Sequence, residues 1–146
     1  MDTLNFRPAR PDDYLAIRLL LIEEGLPSED VAIGQASRFH LAIQDDSLLA
    51  CAGLELYGSD ALLRSVAVDK RARRHGLGRI LVDIAERDAR ATGAHRLFLL
   101  TTTAASYFEK LGYATVDRSA APTLLQASTQ FASLCPASAI CLSKQV

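Results

Sequence analysis

The first half of the chain is dominated by short apolar runs that have the length and spacing of β-strands. Residues 38–44, 48–56 and 61–68 form three such runs, and residues 45–47 and 57–60 between them are polar and rich in turn formers. Short turns between consecutive strands favour antiparallel neighbours, so this half predicts an antiparallel meander. The middle run is apolar at successive positions, which predicts a central strand of the sheet.

The flanking segments predict an opening helix and further strands. Residues 6–9 read as a short strand, and a helix begins at Asp12-Asp13, where carboxylates suit the helix dipole, and ends near Glu24. Residues 26–35 mix Pro, Ser, Gly and acids, so they predict a loop or a weak helix. The later predictions are a strand at 113–116, a broken helix at 122–134 and a closing strand at 138–143.

The hydrophobic period changes after residue 76. Leu77, Leu81 and Ala85 recur at helical spacing, which predicts a helix over residues 77–91 that ends before Gly93. Residues 97–100 follow as a short apolar strand, and a second helix covers 103–111. A strand, a crossover helix and another strand make a parallel pair. The whole order predicts a mixed α/β domain with helices on both faces of one twisted sheet.

Composition places this pattern in one domain, residues 1–146. Hydrophobic residues at 49% and charged residues at 23% are ordinary for a globular protein, and a net charge of -1 argues against a nucleic-acid binder. Three cysteines without Cys-x-x-Cys spacing favour reduced thiols in the cytoplasm. The first residues lack a signal peptide, and no apolar stretch near them predicts a membrane span. No metal-binding spacing is evident.

Two glycines stand where the third strand of the meander gives way to the helix at 77–91. Glycine lets the backbone turn sharply and approach a ligand, and the first N–H groups of a helix attract an anion. Arg73, Arg74 and Arg79 add positive charge around Gly76 and Gly78, so the segment predicts a pyrophosphate cradle. The following residues lack the Gly-Lys-Ser/Thr of a Walker loop and the third glycine of a dinucleotide fingerprint.

The pattern Arg-x-x-Gly-x-Gly, formed by Arg73, Gly76 and Gly78, resembles the acetyl-CoA signature of the GNAT acetyltransferases. The order of elements is also that of the GNAT fold, so the resemblance covers nearly the whole chain. It implies an antiparallel N-terminal meander, a parallel central pair that splays, acetyl-CoA as cosubstrate, no metal and a homodimer as one possible assembly. The residues expected at the cofactor are Val66, Ala67, Val68, Arg73, Arg74, His75, Gly76, Leu77, Gly78, Arg79 and Phe108.

Three further segments resemble a GNAT branch associated with arsenic-resistance operons. They are residues 62–68, 99–104 and 130–136. This finer resemblance implies an enzyme that acetylates a small amine, for which an amino-acid-like toxic, arsenic-related compound is the suggested acceptor. The acetyl group would move by direct attack in a ternary complex. Two alternatives stay open: an acyl-CoA sensor without turnover, and an acetyltransferase for a protein N-terminus or lysine.

Acetyl transfer to an amine needs a group that accepts the amine proton. Glu55 is the first candidate base, because a carboxylate near the end of an apolar strand has its charged form disfavoured and its pKa raised. It could instead face solvent or pair with Arg64. His40 is the next candidate. Arg64 could bind a substrate carboxylate, or it could pair internally with Glu55 or Asp60.

The sequence departs from the family pattern at the expected acid. Many GNAT enzymes carry a tyrosine in Tyr-x-x-x-Gly-Phe, and here Phe108 holds that position. Tyr107 is adjacent but turned about 100° around the helix axis. Tyr107 could act from a shifted helix, another hydroxyl could act, or the thiolate could leave without an acid. Thr101 replaces an asparagine that is frequent beside the substrate in this family. Cys135 could line the pocket, bind a trivalent arsenical through its sulfur or pack as a small apolar residue.

Overall fold

A computed structural model describes residues 4–31, 37–134 and 136–146 of the chain. The strands are β1 Leu4–Pro8, β2 Ser37–Gln44, β3 Ser47–Tyr57, β4 Asp60–Val68, β5 Arg96–Thr101, β6 Ala114–Val116 and β7 Ile140–Gln145. The α-helices are α1 Tyr14–Glu23, α2 Leu77–Ala91, α3 Ala105–Lys110 and α4 Thr123–Gln126. None of the helices within these ranges is long and apolar enough to span a bilayer.

The described residues form one sheet of seven strands in the order β1-β2-β3-β4-β5-β7-β6. Strands β1 to β4 are antiparallel neighbours, which confirms the predicted meander. Strand β5 pairs with β4 in parallel, as the crossover helix predicts, but only where residues 60–62 lie beside residues 96–98. Strand β7 inserts between β5 and β6 and runs antiparallel to both. The predicted mixed α/β fold is therefore confirmed.

Helices cover both faces of this sheet. Helix α2 packs Leu81 and Ala85 onto one face, where Phe108 of α3 joins the same cluster. Helix α1 packs Leu21 onto the opposite face, and Leu125 of α4 lies in a third cluster on that side of β4 and β5. The two faces of β4 therefore contact different helices. Because successive side chains of a strand point to opposite faces, neighbouring residues of β4 have different surroundings.

Several boundaries differ from the predicted ones by a few residues. The closing strand begins at Ile140 rather than at residue 138. The broken helix predicted at 122–134 consists of α4 and a π-helical turn at Gln130–Leu134. A short 3-10 turn at Pro11–Asp13 precedes α1, and the Asp13 carboxylate accepts a hydrogen bond from the Arg10 N–H at 2.6 Å. A side chain that satisfies free N–H groups marks a helix start, as the sequence suggests.

A buried polar cluster joins the late strands to α2. Glu86 is 6% exposed, and its carboxylate accepts a hydrogen bond from the Tyr113 hydroxyl at 2.9 Å. The same carboxylate forms an ion pair with Lys144 at 3.1 Å. The same ammonium group donates to the Leu111 carbonyl at 2.8 Å. Lys144 therefore ties β7 to α2 and to the end of α3, because its donors reach both.

We expect Lys144→Met to lower the free energy of unfolding by about 1–3 kcal/mol, because the buried Glu86 carboxylate would keep only the Tyr113 hydroxyl as a donor among the described residues. Urea denaturation of the two proteins measures the difference. Lys110→Met removes an exposed charge of the same kind on α3 and serves as the control. Equal loss in both variants would show that Lys144 contributes no more than a surface lysine.

Candidate functional site

A β-bulge in β4 opens the sheet at the centre of the molecule. Ala67 lies opposite Cys51 and Arg64 lies opposite Gly53, so two residues of β4 face the single intervening residue of β3. Ser65 adopts a left-handed backbone at φ +54°, as a residue of such a distortion can. Because β4 no longer pairs with β5 after residue 62, its outer half presents main-chain groups to the gap between the strands. The splay expected from the family resemblance is present.

A cavity of about 670 Å³ occupies this gap and extends to the first turn of α2. Of the residues singled out from the sequence, those that line it are Arg64, Val66, Ala67, Val68, Arg73, Arg74, Gly76, Leu77, Gly78, Arg79, Thr101, Tyr107 and Phe108. Sequence reasoning missed Glu24, Leu26, Leu63, Ser65, Ala72, Leu99, Leu100, Thr103 and Ala104. The two from the end of α1 carry no local signal, because packing against the sheet brings them to the cavity.

The loop between β4 and α2 is held in shape by its own residues. The Asp69 carboxylate accepts hydrogen bonds from the Arg71 guanidinium at 3.0 Å and from the Arg71 main-chain N–H at 2.9 Å, which lower the pKa of Asp69. Gly76 adopts φ +73°, and a Cβ there would meet nothing within 4 Å. The requirement for glycine at 76 is therefore conformational rather than steric.

The first turn of α2 lines the cavity. The intrahelical hydrogen bonds begin at Ile80, whose N–H donates to the Gly76 carbonyl at 3.1 Å. The N–H groups of residues 77–79 precede that bond and have no acceptor within the helix, and the helix dipole makes this end positive. Arg73, Arg74 and Arg79 lie on the same part of the cavity wall. The arrangement can bind a phosphate-bearing ligand.

Two loop side chains have neighbours that the sequence did not predict. Arg73 forms an ion pair with Glu24, whose other carboxylate oxygen is buried and without a hydrogen-bond partner among the described residues. His75 was expected at the cofactor, but within the described chain it lines a second cavity of about 600 Å³, together with Arg71 and Ile80. The role expected of His75 at the cofactor stays a prediction, and its neighbours Arg74 and Gly76 line the main cavity.

A buried ionic network lies on the α1 face beside the bulge. The Arg64 guanidinium binds both Asp30 oxygens at 2.5 Å, one Glu55 oxygen at 2.6 Å and the Ser65 hydroxyl at 3.0 Å. Its side chain is 1% exposed. The internal pair with Glu55 forms as one alternative expected, whereas Asp60 pairs with Arg96 at 2.9 Å. The partner missed by sequence reasoning is Asp30, which precedes Arg64 by 34 residues.

Glu55 lies behind the cavity wall rather than on it, as far as the described residues show. Its carboxylate is 8% exposed and accepts a second hydrogen bond, from the Tyr57 hydroxyl at 2.5 Å. Burial and this hydrogen bond raise the pKa of Tyr57, so its hydroxyl stays protonated and acts as a donor. His40 is on the other face of the sheet, where its Nε2 lies 3.0 Å from an Asp88 oxygen of α2. The structure therefore separates the two candidate bases.

The neighbouring aromatic residues of α3 have different surroundings. Phe108 is 6% exposed and packs edge-on against Tyr113 in the core. Tyr107 is 40% exposed, and its hydroxyl lies over Gly78 at the start of α2. Thr101 accepts a hydrogen bond from the Ala104 N–H at 2.9 Å, which fixes the turn from β5 into α3. The hydrogen of the Thr101 hydroxyl remains available to a ligand in the cavity.

The cysteines of the described chain are buried and unreactive. Burial raises the pKa of Cys51 to about 12 and that of Cys141 to about 11, so neither is a thiolate at neutral pH. Cys135, for which the sequence left three roles open, lies outside the described residues. The described ranges also contain no group of three or more His, Cys, Asp or Glu side chains that could hold a metal ion.

Comparison with known proteins agrees with this geometry. Residues 5–113 match the model of the acetyltransferase (GNAT) family. N-acetylglutamate synthase from Neisseria gonorrhoeae, solved with coenzyme A and N-acetyl-glutamate, superposes with a TM-score of 0.82 at 22% identity over 98% of this chain. The chain spans only 35% of that protein's length.

Two solved structures match over almost their full length. Rv2747 from Mycobacterium tuberculosis, in complex with coenzyme A, gives a TM-score of 0.78 at 20% identity, with 97% of this chain and 99% of that chain covered. PaiA N-acetyltransferase from Thermoplasma acidophilum, also with coenzyme A, gives 0.74 at 14% identity, with 99% of each chain covered. At these identities the likeness shows a shared fold.

We expect Arg64→Met to lower the free energy of unfolding by about 3–5 kcal/mol, because Asp30 and Glu55 would be left as buried carboxylates without their cation. Adding Asp30→Asn and Glu55→Gln to that variant should restore part of the loss. Urea denaturation monitored by circular dichroism measures all three proteins. A triple variant no more stable than Arg64→Met would contradict a network held together by charge.

Proposed function

The chain belongs to the acetyltransferase (GNAT) family, and from this premise we propose that it transfers the acetyl group of acetyl-CoA to the amine of a small molecule. The observation that carries the proposal is the continuity of the main cavity. It joins the gap between β4 and β5 to the positive first turn of α2. An extended pantetheine arm needs main-chain partners, and a diphosphate needs N–H donors and cations. Both are present along one cavity wall.

The cofactor-side roles follow from position along this wall. The main chain at Val66, Ala67 and Val68 would pair with the pantetheine arm as an added strand does. The N–H groups at the start of α2, with Arg73 and Arg74, would bind the diphosphate. Phe108 supports the wall from the core without a polar contact. Bound acetyl-CoA supplies a thioester whose carbonyl carbon the amine can attack.

We place the proton acceptor at Glu55. Attack by the acceptor nitrogen forms a C–N bond as the C–S bond breaks, and the nitrogen must give up its proton. Glu55 stands on the strand beside the bulge, where Arg64 and Tyr57 hold its carboxylate in place by hydrogen bonds. Because Glu55 is buried, a water molecule would carry the proton to it.

Arg64 contributes by fixing that carboxylate rather than by binding a substrate carboxylate. Its guanidinium already holds Asp30 through both oxygens, and a substrate carboxylate would have to displace this buried pair. We propose that the Thr101 hydroxyl donates a hydrogen bond to the acceptor molecule. Tyr107 lies near Gly78, so we propose that the thiolate leaves without a proton from it.

The acceptor that we propose is a small amino-acid-like amine. Two observations support this class. The first is the N-acetyl-glutamate bound by the N-acetylglutamate synthase that shares the fold. The second is the resemblance of residues 62–68, 99–104 and 130–136 to the arsenic-associated branch, which extends the class to arsenic-containing amino acids. We propose direct attack, and the two cysteines of the described chain, Cys51 and Cys141, are buried thiols.

A sensor that binds acyl-CoA without turnover is the second candidate. The observation that favours it is Phe108. This buried residue has no hydroxyl to donate a proton, whereas many members of the family carry a tyrosine at this position. The two candidates share the cofactor site and differ only in whether an acetyl group moves. An assay of thiol release therefore separates them.

We expect the protein to bind acetyl-CoA in calorimetry and to release CoA thiol when amines of the amino-acid class are added. Replacement of Arg73 or Arg74 by Ala should raise the KM for acetyl-CoA about tenfold, with a smaller change in kcat, because a charged hydrogen bond is lost. Arg90→Ala removes an exposed charge from the far end of α2 and is the matched control. Binding without thiol release across the panel would favour the sensor, and the absence of binding would reject both.

Glu55→Gln tests the proton acceptor. The amide keeps the shape of the side chain but cannot take the proton, so we expect kcat to fall about 10²- to 10⁴-fold while the Kd for CoA stays within about twofold. Glu109→Gln on the exposed side of α3 is the control for loss of a carboxylate. Full activity in Glu55→Gln would remove Glu55 from the mechanism.

A further inference from the structure

The hydroxyl of Tyr107 points at the first turn of α2. It lies 2.9 Å from the position that a Cβ on Gly78 would take, and the Val68 side chain lies 3.4 Å from the same position. The hydroxyl donates no hydrogen bond to any residue of the described chain, although the ring packs edge-on against Phe108. A phenylalanine would pack equally well, so packing does not account for the hydroxyl.

Its surroundings keep this hydroxyl protonated. Burial raises the pKa of Tyr107, and this effect exceeds the opposing influence of the Arg79 charge. At neutral pH the group is therefore a hydrogen-bond donor. It stands beside the N–H groups of residues 77–79, which have no acceptor within the helix.

We infer that the Tyr107 hydroxyl donates a hydrogen bond to the diphosphate of bound CoA, as one further donor beside the first turn of α2. This inference rests on the proposed function, because it assumes that CoA occupies the main cavity. It assigns Tyr107 to binding of the cofactor and leaves proton transfer at the thioester to other groups. Tyr107 is thus a binding residue.

The part of β4 that the Tyr107 hydroxyl lies beside supports binding of the diphosphate. It argues against a role for Tyr107 as the acid that protonates the leaving sulfur. Its hydroxyl is close to Val68, the last residue of β4, whereas the bulge that opens the strand pair is at Ser65. Three residues of extended chain span about 10 Å. The hydroxyl therefore lies at the end of the cavity near α2, about 10 Å along β4 from the bulge.

The same geometry explains the glycine at position 78. Alanine is the better helix former by about 1 kcal/mol, so the first turn of α2 would gain stability from a methyl group. That methyl group would lie 2.9 Å from the Tyr107 hydroxyl, closer than real Cβ contacts, so the hydroxyl would have to move away. Gly78 leaves the space in which the hydroxyl approaches the helix. The two positions are therefore coupled through one contact.

The test is a double-mutant cycle in CoA binding, measured by calorimetry on the full chain. We expect Tyr107→Phe to weaken CoA binding about tenfold, as loss of a hydrogen bond to a charged group does. Gly78→Ala should also weaken binding, because the methyl group displaces the hydroxyl. The double variant Gly78→Ala, Tyr107→Phe should bind CoA as Tyr107→Phe alone does, because the phenylalanine has no hydroxyl left to displace.

ADP provides the second arm, since it keeps the diphosphate but lacks the pantetheine arm and the 3′-phosphate. In competition against CoA, Tyr107→Phe should weaken ADP binding by the same factor as CoA binding. Tyr14→Phe, which removes a hydroxyl from α1 with its ring still against Phe39, is the matched control and should leave both affinities unchanged.

Three results would overturn the inference while leaving the proposed function intact. The first is a CoA affinity of Tyr107→Phe within twofold of the parent protein. The second is an effect on CoA that is absent with ADP, which would place the hydroxyl on the pantetheine or the 3′-phosphate. The third is a double variant in which the two losses multiply. If the parent protein itself bound no CoA, the proposed function would fail, and this inference with it.

Discussion

The main-chain groups of β4 that have no partner strand are the constraint on which the site depends. Strands β4 and β5 begin as an ordinary parallel pair, and the bulge at Ser65 and the divergence that follows leave one side of β4 without hydrogen bonds from β5. Unpaired backbone groups away from water are costly, so such a gap is stable when solvent or a ligand fills it. The fold thus stabilises a ligand that can imitate a strand.

Sequence reasoning was most successful where one local pattern determines one local structure. The switch from strand period to helical period at residue 77 located α2, and the glycines beside it located the turn at which that helix begins. Residue type alone did not indicate that His75 lines a second cavity beside Arg71 and Ile80. It also failed at the end of α1, where Glu24 reaches the cavity only through packing against the sheet.

The surroundings of Arg64 illustrate why the polar site was harder to predict than the fold. An arginine within an apolar strand predicts an anionic partner, but the sequence does not identify that partner. Glu55 could be predicted as a partner of Arg64, because β3 and β4 are consecutive antiparallel strands. Asp30 was not, because it belongs to a loop whose residues show no periodicity. Long-range partners of this kind follow from the fold and cannot be obtained from spacing.

The insertion of β7 between β5 and β6 has a consequence for biosynthesis. Strand β5 is made before β7, the strand that covers its outer edge and the last of the seven to leave the ribosome, and β6 pairs with β7 alone among the described strands. A nascent chain that has emerged only as far as β6 therefore carries an exposed sheet edge beside the future cavity. Exposed edges are sites of aggregation, so this incomplete chain is the stage at which a chaperone would be needed.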